Sequence, residues 1–368
     1  MRDRLVAIVF TFMLAMGLVQ GQPQRPTADK VFKNVKVLTG IPVDEFMATM
    51  GFFSASLGMT CTDCHTAESG GSWANYADDT EVKQTARIMI GMVAGINKAY
   101  FGGKREVTCY SCHRGGDRPL LTPSLAELYG PPGPQREPDQ LVRQDSKTAS
   151  PDQILDKFIQ AIGGAERLAG LTSFVGRGKY QGYAADDKLP FEIFAKAPDQ
   201  RATIVHGPGG DTITTFDGHS GWVAAPATDK PVSPIEMTGG DLIGAKLDAE
   251  LAFSVKIKQQ LTQWRVGFPA EINNQEVQLV QGTADGRYPV NLYFDNKSGL
   301  LVRVVRYQDS PVGLNPTQVD YSDYRDVGGI MLPFRWATTW LDGRSITELT
   351  EIQPNVAIDG SKFAKPLK

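Results

Sequence analysis

The residues with the clearest chemical potential are the chain's four cysteines, which form two pairs of identical spacing. In each pair two residues separate the cysteines and a histidine follows at once, giving Cys61, Cys64 and His65, and then Cys109, Cys112 and His113. Two thiols at this spacing can each add to one of the two vinyl groups on a haem edge, and the adjacent histidine then supplies an axial nitrogen to the iron. The pattern predicts two covalently attached c-type haems.

Three other uses of the cysteines compete with haem attachment. A disulfide within each pair, or one zinc ion held by all four thiolates, would leave both adjacent histidines unexplained. A redox-active dithiol normally stands at a helix start in a thioredoxin-like context, which this sequence lacks. Since two of only four histidines occupy these positions, haem is the preferred interpretation.

A sixth iron ligand is needed opposite each histidine, and a methionine thioether in that position raises the reduction potential. The remaining histidines, His206 and His219, lie far along the chain in the C-terminal half. The methionines that precede the two motifs are Met47, Met50 and Met59, then Met89 and Met92. We expect Met59 to be too close to the first motif to reach the opposite face of its haem.

The elements that must position these residues repeat in order. Apolar residues at helical spacing predict a helix over residues 43–57, which Gly58 ends just before the first motif. Acidic and hydroxyl residues at 78–81 predict the start of a second helix, which runs to about Tyr100 and precedes the second motif. The unit of helix, loop and cysteine motif therefore occurs twice.

The N-terminus and the overall charge restrict where the protein works. Arg2 and Arg4 precede a short apolar run that is followed by small and polar residues, so residues 1–21 are predicted to be a secretory signal peptide. The alternative is an uncleaved anchor, although the run is shorter than a spanning helix needs. The net charge of −3 gives no indication of nucleic-acid binding. We expect a periplasmic protein that reaches the membrane surface through a partner.

Residues 31–116 resemble the tetrahaem cytochrome subunit of purple-bacterial photosynthetic reaction centres. The resemblance is carried by residues 50–58, 61–65, 90–97 and 107–115. It implies that each haem lies against the helix preceding its motif, with Met50 and Met92 as axial iron ligands. Some haems of that family use a histidine instead of the methionine. This chain has two motifs where the family has four, so it resembles one half of the subunit.

The rest of the chain has a different character. Residues 117–150 are rich in proline and polar residues, which predicts a semi-rigid linker. Residues 151–368 show period-two patterns that predict eleven strands, with a helix at the start and another over about 240–264. The overall fold class is therefore α+β, with a mostly helical dihaem cytochrome c domain at 22–116 and an antiparallel β domain at 151–368.

The β domain resembles LolA/LolB-like periplasmic lipoprotein-carrier domains. The resemblance is carried by residues 161–168, 191–198, 216–222 and 320–334. It implies a half-open barrel with an apolar cavity that binds a lipid, an acyl chain or a quinone-like molecule. The alternative is a docking or spacer module without a ligand.

Together these features predict a periplasmic electron carrier with a protein redox partner. The resemblance implies re-reduction of a photo-oxidised reaction centre, and a respiratory or extracellular acceptor is equally compatible with the residues. Two other classes stay open: a dihaem peroxidase-type enzyme, which would keep one iron five-coordinate, and a lipid-binding envelope protein that contains haem.

Overall fold

The computed structural model describes residues 25–130, 137–144, 149–183, 185–226, 232–284, 286 and 288–367, without the side chains of residues 70, 71, 126 and 127. The predicted signal peptide at 1–21 lies outside these ranges, as does part of the predicted linker. No helix within the described ranges is long and apolar enough to cross a membrane.

The N-terminal region is helical. Its helices are α1 (Ala28–Val31), α2 (Val43–Leu57), α3 (Cys61–Cys64), α4 (Glu81–Tyr100), α5 (Cys109–His113) and α6 (Leu125–Tyr129), with 3₁₀ turns at Ala67–Gly71 and Trp73–Ala77. Helix α2 follows Pro42, whose missing N–H leaves no helical hydrogen bond unmade, and it ends at Gly58 with a φ of 63°. Thr80 caps α4, because its hydroxyl accepts a hydrogen bond from the amide of Lys83 at 3.1 Å. Both long helices are confirmed.

The described part of the C-terminal region contains four α-helices, two 3₁₀ turns at Ser254–Lys256 and Gly360–Phe363, and a long series of strands. The helices are α7 (Pro151–Ala161), α8 (Ala165–Ala169), α9 (Gly239–Leu251) and α10 (Ile257–Gln260). The strands are β1 (Ser173–Gln181), β2 (Leu189–Lys196), β3 (Gln200–Gly207), β4 (Gly210–Phe216), β5 (Gly221–Ala224), β6 (Ile235–Glu236), β7 (Thr262–Ile272), β8 (Gln275–Ala284), β9 (Tyr288–Asp295), β10 (Leu301–Asp309), β11 (Leu314–Val327), β12 (Ile330–Trp340) and β13 (Gly343–Pro354). The α+β fold class is confirmed.

All these strands belong to one antiparallel sheet in the order β6-β5-β4-β3-β2-β1-β13-β12-β11-β10-β9-β8-β7. Nearly every neighbour in space is also a neighbour in sequence, and the pairing of β1 with β13 joins the two ends of the series. The described part of the sheet is open, because β6 and β7 occupy its two edges and do not pair with each other. Helices fill one face of this sheet, as in a half-barrel.

One expectation for this region is wrong. The helix predicted over about 240–264 ends at Leu251, and residues 262–272 form edge strand β7 instead. Strand β7 has irregular pairing with β8 at two points, between Thr262 and Arg265 and between Val266 and Pro269. These irregularities break the period-two pattern by which strands are recognised in a sequence. The short strand β6 was also not predicted.

The main core lies between the helices and the inner face of the sheet. Phe158 of α7 and Leu247 of α9 pack there with Phe191 of β2, Leu349 of β13 and Leu292 of the more distant strand β9. Residues at alternate positions on the same strands point to the outer face, as the period of a strand requires. The sheet therefore curves around its helices.

Part of the predicted linker covers the outer face of β8, β9 and β10. Val142 packs against an apolar cluster there, and its amide donates a hydrogen bond to Oε1 of Gln281 at 2.9 Å. The Gln281 amide in turn donates to the carbonyl oxygen of Gln140 at 3.0 Å. Residues 137–144, which we name the strap, are therefore fixed to the β domain.

Helix α2 connects the helical region to the β domain through hydrogen bonds and side-chain packing. Nδ2 of Asn315 donates to the carbonyl oxygen of Ala48 at 3.0 Å, and the Thr238 hydroxyl donates to Asp44 at 3.1 Å. The Phe52 ring is 7% exposed and lies directly against Gly313. The helix with the predicted ligand Met50 is therefore packed against the β domain.

Candidate haem sites

The first cysteine motif forms one short helical turn. Thr60 precedes α3, and its amide and hydroxyl both donate to the carboxylate of Asp63, at 2.6 and 2.8 Å. These two bonds lower the pKa of Asp63 and fix the start of the turn. Cys61 and Cys64 are three positions apart in this helix, so their side chains lie on the same side. Neither cysteine forms a disulfide.

The imidazole of His65 is oriented by the backbone. Its Nδ1 lies 3.1 Å from the carbonyl oxygen of Tyr76, and the Tyr76 ring packs against it at a centroid distance of 4.8 Å. A carbonyl oxygen can only accept, so Nδ1 carries the proton and Nε2 keeps its lone pair. Burial lowers the pKa of His65, and the positive charge of Lys83 lowers it further. A neutral imidazole with a free Nε2 is the form that binds iron.

The second motif repeats this arrangement. The amide of Thr108 donates to the hydroxyl of Ser111 at 3.0 Å at the start of α5. Nδ1 of His113 lies 3.0 Å from the carbonyl oxygen of Gly116, so Nε2 is again the nitrogen with a lone pair. Arg114, with a φ of 51°, ends the helix and lets the chain turn back toward the imidazole. Cys109 and Cys112 form no disulfide.

The two motifs pack against each other's helices. Helix α3 contacts α4, and the Thr80 hydroxyl donates to the carbonyl oxygen of Cys64 at 2.6 Å. Helix α5 contacts α2, and the amide of Gly115 donates to the carbonyl oxygen of Ser56 at 2.9 Å. The repeat seen in the sequence is thus folded into one interlocked unit.

The predicted methionine ligands lie on the two long helices. Met50 is half-buried on α2, whereas Met92 on α4 is 44% exposed. Helix α4 also exposes 70% of Ile88, and its apolar side is otherwise only half-buried. Apolar surface at this position fits a planar macrocycle lying along the helix. The thiols, imidazoles and apolar surface together fit covalent haem.

The four cysteines do not form a single cluster in the described part of the chain. In the ranges described above, no group of three or more histidine, cysteine or acidic side chains is arranged to hold a metal ion. The four thiols therefore do not converge as a zinc site would require. His206 is paired with Asp211 at 2.9 Å and Glu192 at 3.5 Å within the β domain.

Sequence reasoning identified the cysteines and histidines but missed the groups that orient the imidazoles. Tyr76 and Gly116 act through their backbone carbonyl oxygens, which every residue type possesses. No side-chain pattern could therefore have indicated them. Only the folded path of the chain places these oxygens beside the rings.

The N-terminal region matches a known family. Residues 14–127 match the family model described as photosynthetic reaction centre cytochrome C subunit. The photosynthetic reaction center cytochrome c subunits of Rubrivivax gelatinosus and Thermochromatium tepidum are each 36% identical, over 99 and 98 residues. These segments cover 26% of this chain and 25% and 23% of the two relatives, so the chain matches about a quarter of their length. The resemblance of residues 31–116 is confirmed.

The β domain is similar to solved structures at low sequence identity. A LolA superfamily protein from Nitrosomonas europaea gives a TM-score of 0.41 at 16% identity, covering 59% of this chain and 99% of that one. A putative outer membrane lipoprotein-sorting protein domain from Vibrio parahaemolyticus gives 0.39 at 10% identity, covering 57% and 97%.

Proposed function

We propose that this chain is a periplasmic dihaem c-type cytochrome that carries electrons. The observation that supports this best is that both Cys-x-x-Cys-His turns hold their histidine in the same way. In each, a backbone carbonyl oxygen accepts from Nδ1 and leaves Nε2 for iron, at 3.1 Å in the first site and 3.0 Å in the second. Two independent segments with one geometry favour two haems.

Each residue has a distinct part in this proposal. Cys61 and Cys64, and likewise Cys109 and Cys112, would form the thioether bonds, while His65 and His113 would each bind an iron through Nε2. Met50 and Met92 would supply the remaining iron ligands from their helices. A haem held in this way supplies a one-electron iron couple, and methionine opposite histidine favours a high reduction potential.

The redox partner is proposed from the relatives. Because the matched segment belongs to reaction-centre cytochrome subunits, a membrane-bound reaction centre is the first candidate acceptor, and a respiratory complex is the second. The predicted signal peptide would place the chain in the periplasm, where such a partner would hold it at the membrane surface.

A redox-titrated optical spectrum of the purified protein, combined with its intact mass, tests the proposal. We expect two haems per chain, both low-spin, with two resolved potentials. The double variants Cys61→Ala/Cys64→Ala and Cys109→Ala/Cys112→Ala should each retain a single haem. A high-spin haem that turns over peroxide would contradict the carrier function and favour the peroxidase-type enzyme.

A second candidate function comes from the β domain, which encloses a cavity of about 720 Å³. Its lining is largely apolar and includes Tyr180, Phe191, Trp336 and Leu349. A cavity of this size and character suits a lipid, an acyl chain or a quinone-like molecule. The charged residues of the lining are Arg201 and Asp248. Asp248 is paired with Arg306 at 3.4 Å, whereas none of the ion pairs among the described residues includes Arg201. An arginine in this position favours a ligand with an acidic head.

Binding of a fluorescent long-chain fatty acid to the holoprotein tests this second function. We expect Arg201→Ala to weaken binding by about ten- to a hundredfold, since a hydrogen bond to a charged group contributes roughly 1.5–3 kcal/mol. Arg177→Ala is the matched control, because Arg177 lies outside the cavity in ion pairs with Glu192 and Glu351. Absence of binding to the unmodified protein, for both this probe and a short-chain quinone, would contradict the function.

A further inference from the structure

Asn97 has an unusual position in helix α4. It is 8% exposed and is the one buried residue of this helix. The apolar residues of the same helix are at best half-buried. An amphipathic helix normally buries its apolar side, and a buried amide is costly unless its hydrogen bonds are satisfied. The burial of Asn97 therefore indicates a specific set of partners.

Those partners are the two residues that lead into the second cysteine motif. Nδ2 of Asn97 donates to the carbonyl oxygen of Val107 at 2.7 Å. Its Oδ1 accepts from the amides of Glu106 and Val107, at 3.1 and 3.0 Å. The side-chain amide thus pairs with the N–H and C=O groups of Val107 as the backbone of an adjacent β-strand would. Both of its polar atoms therefore have hydrogen-bond partners.

The backbone carbonyl of Asn97 also binds the loop that follows α4. Its carbonyl oxygen accepts from the amides of Phe101 and Gly103, at 3.1 and 3.0 Å. Asn97 therefore holds the end of α4 through its backbone. Through its side chain it also holds residues 106 and 107, where the chain runs back beside the helix. The next residues are Thr108, which begins the α5 turn, and Cys109, the first haem thiol.

We propose that Asn97 is the positioning residue of the second haem site. By fastening residues 106 and 107 to α4, it sets the position of Cys109, Cys112 and His113 relative to Met92 on the same helix. This inference deepens the proposed dihaem function and rests on it. Asn97 itself is not an iron ligand, because both of its polar side-chain atoms are already bonded to backbone.

The first site shows why the second needs such a residue. The first motif follows α2 after the short turn at 58–60, in which the Ser54 hydroxyl donates to the carbonyl oxygen of Met59 at 2.5 Å. The second motif is separated from α4 by the longer loop 101–108, which contains Gly102 and Gly103 at positive φ. A longer glycine-containing loop fixes the geometry less well by itself, so an added side-chain connection is required.

The test measures haem content and potentials of Asn97→Ala, Asn97→Asp and Thr49→Ala, each expressed as the full chain with the haem attachment machinery. Thr49 is the matched control, because it is also buried and its hydroxyl also bonds a backbone carbonyl, that of Glu45 at 2.7 Å. Intact mass and peptide mapping give the haem count at each motif. Optical redox titration gives the spin state and potential of each haem.

We expect Asn97→Ala to lose the haem at Cys109 and Cys112, or to retain it with a shifted potential and a high-spin signal, while the first haem is unchanged. Asn97→Asp keeps the acceptor for both amides, so it should retain more of the second haem than Asn97→Ala. Thr49→Ala should lower the unfolding temperature and leave both haems in place.

Three results would overturn the inference. One is an unchanged second haem in Asn97→Ala, the second is equal loss at both motifs, and the third is the same loss in Thr49→Ala. If Asn97→Ala does not accumulate, the test relies on the reduction potential of the second haem in Asn97→Asp. A potential equal to that of the wild type would count against the inference. A wild-type chain without two haems would instead contradict the proposed dihaem function.

Discussion

Gly58 and Gly115 meet backbone to backbone, and a Cβ atom on Gly58 would collide with the carbonyl oxygen of Gly115. Gly58 ends the helix before the first cysteine motif, and Gly115 follows the second motif by two residues. Both have positive φ, 63° and 87°. The contact between the two haem sites thus depends on the absence of a side chain at Gly58.

Substitution of Gly58 by alanine should disrupt this contact. The left-handed conformation alone costs an alanine about 1 kcal/mol, and the collision with Gly115 adds to that cost. Gly40→Ala is the matched control, because Gly40 has a φ of 75° and a Cβ atom added to it would have no neighbour within 4 Å. Chemical denaturation should show a larger loss of stability for Gly58→Ala. Equal losses would mean that the Gly58–Gly115 contact does not hold the two sites together.

Much of the helical region could be predicted from the sequence, because local signals decide it. Pro42 and Gly58 bound α2, and the cysteine motifs are recognisable by spacing alone. The pairing of α2 with the second motif and of α4 with the first could not be predicted, since it depends on contacts such as that between Ser56 and Gly115.

The strap at 137–144 was missed for a similar reason. Its polar, proline-containing sequence is typical of a linker, and its hydrogen bonds to Gln281 form only on the finished sheet.

Replacement of Met92 by alanine should change one haem only. Loss of a thioether ligand lowers the reduction potential and removes the methionine–iron charge-transfer band of that haem. Met89→Ala is the control, because Met89 lies one turn earlier on α4 and is half-buried. Optical titration should show one lowered potential for Met92→Ala and none for Met89→Ala. An unaltered low-spin spectrum in Met92→Ala would show that Met92 is not a ligand.

The contact of Phe52 with Gly313 should control the attachment of the helical region to the β domain. A Cβ on Gly313 would overlap the Phe52 ring, and such overpacking costs typically about 1–3 kcal/mol. We expect Gly313→Ala to separate a single unfolding transition into two, with haem absorbance reporting the helical region and circular dichroism the sheet. Gly360→Ala should leave the transition single, because nothing lies near that position. A single transition in Gly313→Ala would contradict the role of this contact.

The buried carboxyl of Glu137 should make the stability of the strap depend on pH. Burial raises the pKa of Glu137 above its ordinary value of 4.5, although Tyr293 and Asn291 both donate to it, at 2.8 and 2.5 Å. Among the charged groups that the structure describes, Arg303 lowers this pKa and Asp320 raises it. The folded chain therefore binds the proton more tightly than the unfolded chain does, so the free energy of unfolding falls as pH rises through the raised pKa.

Glu137→Gln removes this titration, so its stability relative to wild type should increase as pH rises from about 4 to 7. Glu348→Gln is the opposite case. Hydrogen bonds from Lys188 and then Arg335 lower the pKa of Glu348, so wild type is stabilised by this carboxylate at neutral pH and loses that stability on acidification. The relative stability of Glu348→Gln should therefore fall with rising pH. Urea unfolding measured from about pH 3 to 7 detects both differences, because the Glu348 effect lies below its ordinary pKa of 4.5. Parallel curves for the two variants would show that the carboxyl of Glu137 is not buried between the strap and the sheet.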